Sequence, residues 1–160
     1  MTSPPNSPAA FRRHDHAQCV ETALAAADAA CAAKGKRMTP VRRRTLEILL
    51  EAHEALGAYA VLDRLAAEGF GAQPPVAYRA LGFLVDQGLA HRIARLNAYV
   101  ACAHPAGDHV PAFLICRGCG TVAETESTRA LAGPAREAGF LIEDSVIEAE
   151  GLCPACRGNA

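Results

Sequence analysis

Two cysteine pairs, Cys116-Arg117-Gly118-Cys119 and Cys153-Pro154-Ala155-Cys156, constrain this chain more than any other feature. Two residues between thiols let one tight turn offer both sulfurs to a single ion. Two such turns complete a tetrahedral shell of four sulfurs, the coordination that suits structural Zn2+. One pair alone would serve equally as a redox dithiol, whereas the doubled pattern points to metal. The alternative is two disulfides or four buried thiols. The opening segment MTSPPNSPAAFRRHDH has no apolar stretch of the kind a secretory signal needs, and no apolar run reaches membrane-spanning length. With seven cysteines and no export signal, the reading is a reducing, cytoplasmic setting, where thiolates bind metal more often than they pair.

The 160 residues suffice for a core in one or two small domains. Charge is uneven along them. Residues 1–100 carry twelve Lys and Arg against nine Asp and Glu, and residues 101–160 carry four against eight. A basic front and an acidic back imply different partners for each half. Residues 1–16 read as a disordered Pro/Ser tail. Gln18 to Ala33 is Ala-rich and helix-favouring, and Gly35 ends it. Thr39-Pro40 supplies a cap and a first-turn proline for an amphipathic helix over about 40–53. A short helix follows on Ala58, Val61, Leu62 and Leu65. Pro74-Pro75 opens another, with Ala77, Ala80, Leu81, Leu84 and Val85 on one face and Gly88 at its end. LAHRIARLNAYVAC then alternates about Leu96-Asn97 as a two-stranded hairpin.

Three compact helices and a hairpin are the layout of a winged helix-turn-helix. The predicted fold is α+β: a winged-helix domain over 17–102, a hinge loop over 103–111, and a small α/β dimerisation domain over 112–160 carrying the four-cysteine zinc site. In that back half, 112–116, 121–125 and 140–149 are strand candidates. Residues 127–138 lean to helix, with Gly133-Pro134 expected to interrupt it.

In a helix-turn-helix the second helix lies in the major groove. The helix opening at the Pro pair is therefore the candidate reader, presenting Tyr78 and Arg79. Arg79 suits a guanine edge or a phosphate. Lys36, Arg37, Arg42, Arg43 and Arg44, with Lys34, bring positive charge to the preceding helix as a phosphate-contacting cluster, the alternative being a solvated charged face. Tyr59 is a further phosphate candidate, or a core residue. Double-stranded DNA is thus the expected partner, with no membrane and no small organic substrate.

The stretches RMTPVRRRTLEIL, PPVAYRALGFLVDQGLAHRI, AYVAC, HVPAFLICRGCGTVAE and VIEAEGLCPAC resemble the ferric uptake regulator family, and within it the zinc uptake regulators. The resemblance spans roughly residues 18–156. It implies a winged-helix domain, a dimerisation domain, metal-dependent repression from a palindromic operator, and a homodimer. It also implies two zinc ions per chain: a structural one on Cys116, Cys119, Cys153 and Cys156, and a regulatory one on His91, Cys102, His109 and Glu124. Taken singly, His91 reads as a semi-buried wing histidine, Cys102 as a small core residue, and His109 and Glu124 as solvent-facing. The Cys102 thiolate favours Zn2+ over the harder iron and manganese ions. The family usually has Thr after the Pro pair, where this chain has Val76.

Three rival readings are a sibling regulator of iron, manganese or peroxide, a zinc-ribbon adaptor without DNA binding, and a zinc enzyme. Closed four-ligand shells leave no position for water, and no H-E-x-x-H or H-x-E pairing appears, so the chain reads as no enzyme. His104 and Asp108 offer a weaker extra site or a plain polar loop. His14, His16 and Cys19 also offer donors, but nothing in the sequence orders them.

Overall fold

Proline and glycine set the boundaries of nearly every element. In the computed structural model, which describes residues 7–105, 107, 109–126 and 130–158, helix α1 is His16–Ala33. Its start is capped by Asp15, whose carboxylate accepts from the Gln18 N–H at 3.3 Å. Helix α2, Pro40–Leu50, begins with its proline at the first turn, where the missing N–H costs nothing. Thr39 occupies the cap position in extended backbone but makes no capping hydrogen bond, contrary to the expected hydroxyl cap. α2 ends at Leu50, so His53 lies in the following loop rather than on the helix.

Helices α3, Ala58–Ala67, and α4, Pro74–Asp86, form the helix-turn-helix pair. The turn between them passes through Gly71, whose φ of +110° is a backbone state that side chains rarely adopt. A Cβ there would also meet Val76 Cγ2 at 3.3 Å. Strands β1, Ala90–Ile93, and β2, Ala98–Ala101, pair antiparallel in the register Ala90↔Ala101 to Ile93↔Ala98. The chain reverses through Ala94–Asn97, with Asn97 at φ +47° and its side chain accepting from Arg92 at 2.8 Å. Asn tolerates this left-handed state because its short amide bonds locally.

The described chain divides into two compact units. The first is Arg13–Gly107. Its core is one cluster built from α1 to α4 and β1: Ile48, Val61, Leu65, Leu81 and Leu84 are fully shielded from solvent. Thr45, the buried polar residue there, bonds the Val41 carbonyl at 2.8 Å and so leaves no unpaired hydroxyl.

The second unit comprises the described residues of Met1–Arg12 and Asp108–Ala160. Strand β3, Pro111–Cys116, is central in a three-stranded sheet. It pairs antiparallel with β4, Val122–Glu126, and parallel with β5, Ile147–Gly151. Ala112, Phe113, Ile115, Cys116, Val122 and Ala123 are its buried residues. Helix α5, Ala132–Glu137, carries Gly133 and Pro134 in its first turn. The proline therefore starts this helix instead of interrupting one, because first-turn N–H groups lack partners anyway. Residues 127–129 of the expected helix lie outside the described residues. β5 starts at Ile147, later than the expected strand, and Phe140 and Leu141 are left exposed in the segment before it. Helix α6 is the single turn Pro154–Arg157. Within the stretch expected as a disordered tail, Ala9–Phe11 form a 3-10 turn packed against β4, and residues 1–6 lie outside the described residues.

Leu81 is 0% exposed and sits where α4 meets α2 and α3. Leu81→Ala should destabilise the first unit by about 2–5 kcal/mol, the usual cost of emptying a packed leucine site, read as a lower urea midpoint.

Candidate metal centres and nucleic-acid interface

The Cys116–Cys119 turn leaves the end of β3, and the Cys153–Cys156 turn follows β5 on the strand beside it. Parallel pairing of these strands, with Cys116 opposite Gly151, delivers both turns to one end of the sheet. The four sulfurs lie within 4.8 Å of one another, and Cys119 Sγ to Cys153 Sγ is 3.8 Å. A tetrahedron with Zn–S of about 2.3 Å has edges of about 3.8 Å, so the four sulfurs fit a structural zinc.

Local chemistry holds the sulfurs in place. The Cys153 N–H donates to Cys116 Sγ at 3.2 Å, and Thr121 Oγ1 lies 3.2 Å from Cys119 Sγ. The first contact draws the Cys116 thiol down to about 6. Hydrogen bonds from Thr121 lower Cys119. Cys156, facing Cys153, Cys119 and Cys116, is pushed up to about 12. The last proton is thus retained unless a cation balances its neighbours. Gly118 permits the close approach: a Cβ there would lie 3.0 Å from Cys156 Sγ and 3.2 Å from its Cβ. Thr121 was not among the residues the sequence singled out; its position two residues after Cys119 is the signal that could have found it.

The other four expected ligands fall as two pairs, one in each unit. In the first unit His91 lies on β1 and Cys102 follows β2, where the Cys102 N–H donates to the Leu89 carbonyl at 2.9 Å. Their ligand atoms lie within 4.8 Å of each other. Cys102 is buried, and its sulfur accepts from the His104 N–H at 3.4 Å. In the second unit His109 Nε2 and Glu124 Oε1 are 2.5 Å apart, with the Glu124 side chain only 3% exposed. His109 and Glu124 are therefore inward-facing groups, not the solvent-facing ones that each would be if read alone. Asp108, a candidate for a weaker site with His104, lies outside the described residues.

On α4, Tyr78 and Arg79 are exposed next to buried Ala77 and Ala80. Tyr59, at the start of α3, is 63% exposed and meets Tyr78 edge to face at 6.4 Å. This excludes the core reading of Tyr59. Lys36 and Arg37 are also exposed.

The three consecutive arginines differ from a uniform phosphate cluster. Arg42 lies 3.7 Å over the Phe83 ring and donates to the Arg37 carbonyl at 2.7 Å. Arg43 pairs with Asp28 at 2.5 Å and with Glu47 at 3.4 Å. Arg44 meets Glu68 at 2.6 Å, Glu51 at 3.1 Å and Glu47 at 3.2 Å, contacts that raise its pKa and lower that of Glu68. Arg44 therefore joins α2 to the end of α3, a role that periodicity does not reveal.

No family model matches the chain. It is 39% identical over 137 residues to the zinc uptake regulation proteins of Escherichia coli (strain K12) and Shigella flexneri, covering 83% of this chain and 80% of each of those proteins. Among solved structures it is similar to a zinc uptake regulator complexed with zinc and DNA, with a TM-score of 0.80 and 36% identity over 88% of this chain and 96% of that one. It is also similar to holo XcZur, with a TM-score of 0.77 and 34% identity over 86% of this chain and 98% of that one. With likeness of this degree over nearly the whole chain, the protein belongs to the zinc uptake regulators of the ferric uptake regulator family.

Proposed function

We propose that this chain is a zinc-responsive transcriptional repressor, which as a zinc-loaded homodimer binds a palindromic operator and silences zinc-uptake genes. The observation that carries the reading is the chemistry of the donors: His91 and Cys102 lie together on the wing, and His109 and Glu124 pair beside β3 and on β4. Two imidazoles, a thiolate and a carboxylate make a borderline-soft set suited to zinc. When bound, zinc would supply coordination bonds to these side chains and so restrain the wing.

The helix-turn-helix turns such a restraint into DNA affinity. Two copies of α4 must enter successive major grooves on one face of the duplex, about 34–36 Å apart. A unit free to reorient meets that spacing only part of the time. Moving the competent state from about 1% to 99% requires roughly a 10⁴-fold preference, about 5.5 kcal/mol. Tyr78 and Arg79 then contact the operator from α4, Tyr59 from α3, and Lys36 and Arg37 from the segment before α2. Arg42, Arg43 and Arg44 have intramolecular partners and contribute mainly by placing these helices.

Dimerisation is supported by the apolar surface of the second unit. Phe140 is 68% and Leu141 78% exposed, with Leu131 and Val146 about half exposed. β5 is an edge strand among the described residues, and exposed edges and apolar patches are what association covers. The four-sulfur site has a different task. It clamps the end of the sheet, and such sites contribute roughly 10–16 kcal/mol of apparent binding energy, which is folding energy for a small unit. A closed shell of four protein ligands leaves no place for a reacting water, consistent with a regulator and not an enzyme. A repressor of this kind acts in the cytoplasm, beside the DNA. No helix among the described residues is long and apolar enough to cross a membrane.

In a mobility-shift titration, Cys102→Ser should remove the dependence of operator binding on free zinc, with circular dichroism unchanged. A variant that still responds to zinc would place the sensing site elsewhere. Arg79→Ala should weaken zinc-loaded operator binding about tenfold or more, as expected for a lost base or phosphate contact of about 1–3 kcal/mol. Gly118→Ala should push Cys156 aside and let a chelator strip the structural zinc faster than from the wild type, followed by metal analysis.

A further inference from the structure

Three histidines and a cysteine meet where α1 begins and α2 ends. His14 lies just before α1, His16 is its first residue and Cys19 is one turn further on. The ligand atoms of these three lie within 4.8 Å of one another. His53, from the loop after α2, faces them. Its Nε2 is 3.1 Å from His14 Nε2, and its ring centroid is 5.0 Å from those of both His14 and His16. Two imidazole nitrogens bound to one zinc at about 2.0–2.1 Å would stand about 3.3 Å apart.

His16 indicates what the group is built for. Its Nε2 lies 3.0 Å from the Glu51 carbonyl oxygen. A carbonyl only accepts, so Nε2 carries the proton and Nδ1 presents a bare lone pair. That Nδ1 is buried and, among the described residues, has no hydrogen-bond partner. An imidazole anchored through one nitrogen to a carbonyl, with the other turned inward, is the arrangement in which histidines ligate metals. Burial, then the nearby His16 and His14, hold the His53 pKa below its usual value, which favours the neutral form that ligates.

We propose that His14, His16, Cys19 and His53 form a further zinc site within the helical unit, distinct from the four sulfurs and from the His91, Cys102, His109 and Glu124 set. Imidazoles with one thiolate select zinc over harder cations. An ion held there ties the residues entering α1 to the α2–α3 loop. The same loop bonds the wing: Leu56 N–H to Tyr99 carbonyl at 2.9 Å, and Tyr99 N–H to Leu56 carbonyl at 2.8 Å. The site therefore braces the start of α1 against the loop that leads into α3 and Tyr59. His14 is exposed and the other three are half-buried, so the ion can exchange with solvent.

The test is zinc content of the full-length protein, dialysed against buffered zinc with a weak competing chelator, for wild type, the double variant His14→Ala/His53→Ala, and His53→Gln. Circular dichroism confirms folding in each. The double variant should hold one zinc per chain fewer than wild type, and H53Q should release that zinc at a higher free-zinc level than wild type. In cobalt-substituted protein, Cys19→Ser should lower the thiolate-to-cobalt charge-transfer absorption. Unchanged zinc content in the folded double variant, or unchanged cobalt absorption in C19S, overturns the proposal. If the double variant does not fold, H53Q decides alone: wild-type release of zinc refutes the site.

Discussion

Four thiols gathered within 4.8 Å cannot all ionise side by side without a cation to balance them. That electrostatic conflict organises the second unit. A backbone N–H helps one sulfur to ionise, drawing Cys116 down to about 6, while its neighbours push Cys156 up to about 12. The cluster is arranged to give up protons in exchange for metal. Everything around it supports the exchange: the parallel β3–β5 register brings the two turns together, and Gly118 leaves room for Cys156. A sheet of three short strands has a small core, and a clamp at its end compensates.

The two donor sets differ in where their ligands come from. The four sulfurs all belong to one unit, so their ion stabilises that unit whatever the rest of the chain does. As proposed, an ion that binds both pairs of the mixed set would have a differential affinity for the arrangement that completes its shell. Only such a difference can shift a conformational equilibrium. On the first unit, charge is used in a comparable way. Asp28, Glu47, Glu51 and Glu68 engage Arg43 and Arg44 and knit α1, α2 and α3 together. Tyr59, Tyr78 and Arg79 are among the groups left facing outward at the helix-turn-helix.

Much of this was legible in the sequence, because the signals were local. Paired Cys-x-x-Cys turns, helices opened by Pro40 and Pro74, and the alternating β1–β2 hairpin each show within a short window. What the sequence does not show depends on non-local partners. Whether Arg44 faces a phosphate or Glu68 depends on a residue 24 positions away. That His53 leaves α2 to face His14, 39 residues before it, has no local signature at all. Pro134 looked like a helix breaker because periodicity does not show where a helix begins, and a first-turn proline costs nothing. The pairing of His109 with Glu124 was likewise invisible until β4 was laid against β3. Assigning the mixed set from sequence rested on family resemblance, since four scattered single donors carry little weight by themselves.

Protection of a zinc importer's promoter in a footprint titrated with buffered free zinc tests the central claim most directly. The account requires protection of a two-fold symmetric site that appears steeply as free zinc rises and disappears when zinc is withdrawn, with the four-sulfur site remaining loaded throughout. Protection of equal extent and affinity at every free-zinc level would contradict it.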